Sequence, residues 1–170
     1  DVNFVLIPEV RFELQGKKGF LSVLENYLSK KKEQKKHAHA VIVVAEGAGQ
    51  YFFPENKEHD ASGNTKLGDV GVFLVQEIKK YFQDKLPISL KYIEPSYLLR
   101  SVPANAHDAI FCHYLGENAV HAGMAGKTDM MVGYWNGRFT HIPLAEVIQG
   151  RKTIDPHGEL WRQVLLATGQ

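Results

Sequence analysis

The chain has 170 residues, 44% hydrophobic and 23% charged, with a formal net charge of +1. That composition suits one soluble core and gives no global field for nucleic acid or an acidic membrane. A single cysteine, Cys112, excludes an internal disulfide and fits a reducing, cytoplasmic setting, and no apolar run approaches the ~20 residues of a membrane span.

Val2 to Ile7 is an apolar run ended by Pro8 and predicts a buried strand. Because the chain opens inside that strand, it reads as a fragment or a separately made domain. Apolar residues at Phe20, Leu21, Val23, Leu24, Tyr27 and Leu28 predict a helix to about Lys32. The basic run Lys30 to Lys36 fits a solvated helix end facing the dipole, the alternative being a nucleic-acid or effector contact. Ala40 to Ala45 is β-branched and continuous, as in a parallel strand buried on both faces. Residues 54–66 read as a loop, and Asp69 as the cap of a helix carrying Val72, Phe73, Val75, Ile78 and Phe82. A strand is predicted over Ile88–Ile93 and a helix over 107–124. Met130–Tyr134 and Arg138–Ile142 predict strands joined by the Asn136-Gly137 hairpin turn, and Pro156–Thr168 a final helix. The alternation β, α, β, α, β argues for an α/β sheet with helices on its faces. Such sheets bind ligands at the carboxyl ends of strands, and both Glu46–Gln50 and Lys91–Arg100 are expected there, facing one crevice.

The stretch from Lys91 to Pro103 groups a cation, a tyrosine and an arginine around Pro95. Arg100 is a planar, permanently charged fork suited to phosphate oxygens, and Tyr97 offers one hydroxyl. A helical turn after Pro95 would set Tyr97 and Arg100 on one side, as a grip on a phosphorylated, hydroxyl-rich small molecule. Glu46, between Ala45 and Gly47, can accept from neighbouring sugar hydroxyls while the glycines let a ligand approach the backbone. The plainer readings are a surface arginine on a turn, a carboxylate capping the next turn or pairing with a cation, and an exposed edge-strand lysine at Lys91. Gly123-Met124-Ala125-Gly126-Lys127-Thr128 tempts a phosphate-loop reading. His121 stands where that motif needs its first glycine, and the segment follows a helix rather than a strand. The eight histidines form no metal pattern with Cys112; His37 and His39 are expected to be solvated. Cys112 and His113 adjoin on a helix and point apart.

Three ordered blocks carry a resemblance: His39 to Gln50, Lys91 to Arg100, and Ala119 to Asp129. Their order and spacing resemble the 6-phosphofructokinase family from Phe4 to about Gln170. The likeness is to the long-chain group, which includes plant-type ATP-dependent and pyrophosphate-dependent enzymes, and covers only its C-terminal part. The resemblance implies a three-layer α/β sheet with helices on both faces. Residues 1–103 would be the substrate-binding domain, and 104–170 a segment returning toward the phosphoryl-donor domain with a C-terminal helix. It implies transfer of a phosphoryl group to the 1-hydroxyl of fructose 6-phosphate in glycolysis, in a cytoplasmic, allosteric homodimer or homotetramer. By that likeness Glu46 contacts the sugar, Tyr97 and Arg100 hold the substrate, and Lys91 reaches the 6-phosphate on a neighbouring subunit. Short bacterial members carry histidine where this chain has Tyr97. In some of them the residue matching Glu9 lines an effector site, whereas long-chain members are regulated differently. The glycine-rich donor loop and catalytic aspartate belong to the missing N-terminal half, which would also bind Mg²⁺ and ATP or pyrophosphate. No catalytic or metal residue is therefore expected here, and the isolated chain is expected to be inactive. The rival expectation is a non-catalytic module that binds a sugar phosphate or mediates oligomerisation.

Overall fold

The computed structural model describes residues 1–34, 38–54, 58–59, 61, 63 and 65–170. Lys35, Lys36 and His37, and part of the 54–66 segment, lie outside them. The elements in order are β1 (Phe4–Leu6), α1 (Phe20–Glu33), β2 (Ile42–Val44), a 3₁₀ turn (Gln50–Phe52), α2 (Val70–Phe82), α3 (Ser96–Ser101) and α4 (Ala106–Met124). They continue with β3 (Met130–Trp135), β4 (Arg138–Pro143), α5 (Leu144–Val147) and α6 (Glu159–Thr168). The class is α/β. One unit comprises Asp1–Ile93 with Thr153–Gln170, the other Glu94–Lys152. These limits follow packing, whereas the 103/104 boundary expected from the resemblance divides roles.

In the first unit β1 and β2 pair in parallel, Phe4 opposite Ile42 and Leu6 opposite Val44. A parallel pair needs a crossover, and α1 supplies it. The helix buries Phe20, Leu21, Leu24 and Leu28 of the face its periodicity predicts and packs Tyr27 against the core, while Val23 of that face is exposed. Asp69 caps α2, its carboxylate accepting from the Val72 amide at 2.9 Å. That helix adds Val70, Leu74, Ile78 and Phe82 to the same core, whereas Val72 of the expected face is exposed. Phe4 sits edge-on to both Phe20 and Tyr27, with ring centroids 5.6 and 5.5 Å away. The Gln170 carboxamide pairs with the Val5 backbone, accepting from its N–H at 2.7 Å.

Ile88–Ile93, predicted as a strand, belongs to no strand among the described residues. Its apolar alternation is used, since Leu86, Ile88 and Leu90 pack against the core. Alternation alone does not make a strand without a ladder partner, and among the described residues β1 and β2 pair only with each other.

In the second unit β3 and β4 form an antiparallel hairpin closed by Trp135 opposite Arg138. Asn136 and Gly137 have φ of 46° and 77°, both positive as a type I′ turn requires. Phe111 of α4 packs against Tyr134 and Phe139, at centroid distances of 5.4 and 5.7 Å. The Asn105 side chain caps α4 by accepting from the Asp108 amide at 2.8 Å.

Candidate functional site

Glu46 is positioned by the end of β2. The Ala45 amide still donates to the Leu6 carbonyl at 2.9 Å, so the chain leaves the sheet only after Ala45. The Ala48 amide then donates back to the Ala45 carbonyl at 2.9 Å, closing a turn on a fully buried Ala48. Gly47 lets Pro8 pack against this turn, since a Cβ at residue 47 would lie 2.9 Å from Pro8 Cγ. Gln50 ties the turn to the approach of α2. Its Nε2 donates to the carbonyls of Glu46 and Gly68 at 2.8 and 3.0 Å, and its Oε1 accepts from the Gly68 amide at 2.9 Å. The Glu46 backbone is thus pinned while its side chain is exposed and has no hydrogen-bond or ion-pair partner among the described residues.

Lys91 follows the packed Leu90 and is exposed. Its neighbour Tyr92 lies over Gly71 in the first turn of α2, where a Cβ would collide with the ring. Tyr92 therefore fixes the backbone beside Lys91, although that backbone is not the strand end the sequence predicts. Pro95 precedes α3, and the Ser101 hydroxyl donates to the Tyr97 carbonyl at 2.8 Å. The one-turn spacing brings the Arg100 guanidinium 5.8 Å from the Tyr97 ring centroid. Tyr97 is 78% exposed. Glu46 and Lys91 belong to the first unit, Tyr97 and Arg100 to the second.

Elsewhere the structure gives local roles. Gly123–Thr128 ends α4: the Gly126 amide donates to Gly123 and the Lys127 amide to Ala122, both at 3.0 Å. That pair of bonds is a Schellman cap, and Gly126 takes its left-handed position with φ of 69°. A phosphate loop offers those amides to a ligand, whereas these are spent on the helix. Glu9 Oε1 accepts from the Ile154 amide at 3.0 Å, and Oε2 is buried with no hydrogen-bond partner among the described residues. Cys112 is exposed on α4. Among the described residues no three His, Cys, Asp or Glu side chains gather as a metal site. No described helix is long and apolar enough to cross a membrane. The residue that sequence reasoning passed over is Gln50, which stood inside the His39–Gln50 block without a role. Its partner Gly68 is 18 positions away, a contact only the fold supplies.

No protein-family model matches the chain. It is 48% identical over 172 residues to an ATP-dependent 6-phosphofructokinase of Borreliella burgdorferi, covering 100% of this chain and 38% of that protein. It is 47% identical over 170 residues to the chloroplastic ATP-dependent 6-phosphofructokinase 5 of Arabidopsis thaliana, covering 99% of the chain and 30% of the relative. An ATP-dependent 6-phosphofructokinase of Amycolatopsis methanolica is 42% identical over 176 residues, with 99% and 37% covered. The chain thus spans 30–38% of the length of these relatives.

Proposed function

We propose that this chain is the substrate-side part of an ATP-dependent 6-phosphofructokinase. The observation that carries the reading is likeness along the whole chain, at 48% identity, to a protein of that name. The parent would form a bond between the γ-phosphorus of ATP and the 1-oxygen of fructose 6-phosphate, breaking the bond to ADP and giving fructose 1,6-bisphosphate. ATP and Mg²⁺ supply the phosphoryl group and its charge neutralisation, and both fall to the part of the parent outside this chain. Its sheet would be completed there into three layers with helices on both faces.

Within this chain, Glu46 accepts from sugar hydroxyls, a task suited to an exposed carboxylate on a pinned turn. Tyr97 and Arg100 share a side of α3, where the guanidinium can fork onto phosphate oxygens. Lys91 supplies a further cation toward the 6-phosphate of sugar on a neighbouring subunit, which makes the parent a homodimer or homotetramer. Residues 1–103 form the substrate portion and 104–170 the return toward the donor domain. The parent would act in the cytoplasm.

Calorimetric titration of the full-length parent with fructose 6-phosphate tests this, beside the Arg100→Ala variant and a glucose control. A lost charge-assisted bond of about 1.5–3 kcal/mol predicts affinity roughly tenfold to a hundredfold weaker for Arg100→Ala. Absence of saturable binding by the parent, or equal binding by the variant, overturns the assignment. The isolated 170-residue chain is expected to show no turnover with ATP, and measurable turnover would show that the chemistry does not need the remainder.

A further inference from the structure

We propose that Gln50 is a positioning residue that sets the Glu46 carboxylate for the sugar, an inference resting on the function proposed above. A carboxamide has two N–H donors and one acceptor oxygen available for such a task. Gln50 spends both donors on carbonyls, those of Glu46 and Gly68, and its oxygen on the Gly68 amide. It thus satisfies both backbone groups of Gly68 and binds the main chain of the candidate sugar-binding residue itself. That bond holds Glu46 while Pro8 lies against the neighbouring Gly47.

Geometry of this kind matters because Glu46 has no side-chain partner of its own among the described residues. What is held is its main-chain carbonyl, and Gln50 holds it. Alanine at position 50 leaves two carbonyls and one amide to find water, and the turn gains freedom that sugar binding must then remove. Gln50→Glu is the sharper variant. It keeps length and the acceptor for the Gly68 amide, yet sets a carboxylate against the carbonyls of Glu46 and Gly68.

The test is a double-mutant cycle in the full-length protein, read as fructose 6-phosphate affinity by calorimetry. Glu46→Ala and Gln50→Ala are each expected to weaken binding by about tenfold. If Gln50 acts through Glu46, the double variant binds about as Glu46→Ala alone. Losses that multiply to about a hundredfold overturn the inference. In steady-state kinetics Gln50→Ala and Gln50→Glu should raise KM for fructose 6-phosphate and leave KM for ATP unmoved. A purely structural role would shift both together and would equally overturn it. Gln50→Glu serves where Gln50→Ala fails to fold, and wild-type affinity in that variant refutes the role. A wild-type protein that does not bind the sugar phosphate fails the functional reading itself, and this inference with it. Binding by wild type with an additive cycle fails this inference alone.

Discussion

The two units bury their apolar residues to different degrees. The first has a contiguous core drawn from β1, α1, the buried Ala48 and α2, with Phe82 only 1% exposed. The second has a single buried residue, Ala122, and leaves Ile110, Val120, Met124, Trp135 and Ile148 exposed. Its helix α4 packs one side on the hairpin through Phe111, yet carries apolar residues around much of its circumference. The first unit therefore holds the larger reserve of burial, whereas the second has its hydrogen-bonded frame without an equivalent one. The difference teaches that secondary structure and core are separable. Caps and turns define α4 and the hairpin locally, while burial requires more apolar partners than that unit contains.

Truncations in the two units put a number on this contrast. Phe82→Ala opens a cavity in the dense core and should cost about 3–5 kcal/mol. Phe111→Ala removes a half-buried ring from the Tyr134–Phe139 cluster and should cost about 1–2 kcal/mol. Urea unfolding of the two variants measures both. Equal losses would show that the second unit is as well supported as the first.

A smaller and opposite effect is expected at Gly116. It sits inside α4, and nothing lies within 4 Å of where its Cβ would be. Gly116→Ala should therefore raise the stability of the second unit by about 0.5–1 kcal/mol through helix propensity alone. Hydrogen exchange along α4 reads that gain. Slower exchange would confirm an uncovered face, and faster exchange would mean that the position is packed.

The parts that were legible in the sequence depend on neighbours. The face of α1, the Asp69 and Asn136-Gly137 signals, and the span of α4 arise within a turn or two of chain. The Tyr97–Arg100 contact was legible for the same reason, being one helical turn. Ile88–Ile93 was misread because pleat periodicity records burial on alternate sides, while a ladder needs a distant partner. Gln50 was missed on the same ground: its bond to Glu46 is local, but its two bonds to Gly68 depend on how α2 is approached. Helix α5, four residues long, carries too little periodicity to show. Glu46 and Lys91 stand exposed in one unit and Tyr97 and Arg100 in the other, so the common role proposed for them rests on chemistry and likeness.

The smallest effect concerns how the first unit joins α1 to α2. Tyr81 on α2 donates to Glu25 Oε2 on α1 at 2.6 Å, and Lys85 donates to the same oxygen at 2.9 Å. The Lys85 ammonium also lies 3.7 Å from the Tyr81 ring centroid. The Tyr81 hydroxyl, then Lys85, holds the Glu25 carboxyl below its ordinary pKa. Tyr81, then Glu25, raises that of Lys85. A lowered carboxyl contributes stability that is complete above its ordinary pKa and is lost as pH falls through the lowered value. A raised amine contributes stability that is complete below its ordinary pKa and is lost as pH rises through the raised value. The clasp should thus be fully present near neutrality and fade toward both extremes. Thermal midpoints of wild type and Glu25→Gln should differ most near pH 7 and converge in acid. Tyr81→Phe should reproduce part of that difference while keeping the ring under Lys85. A Glu25→Gln profile parallel to wild type at every pH would mean that solvent screens the clasp to nothing, leaving the helices joined by their apolar faces alone.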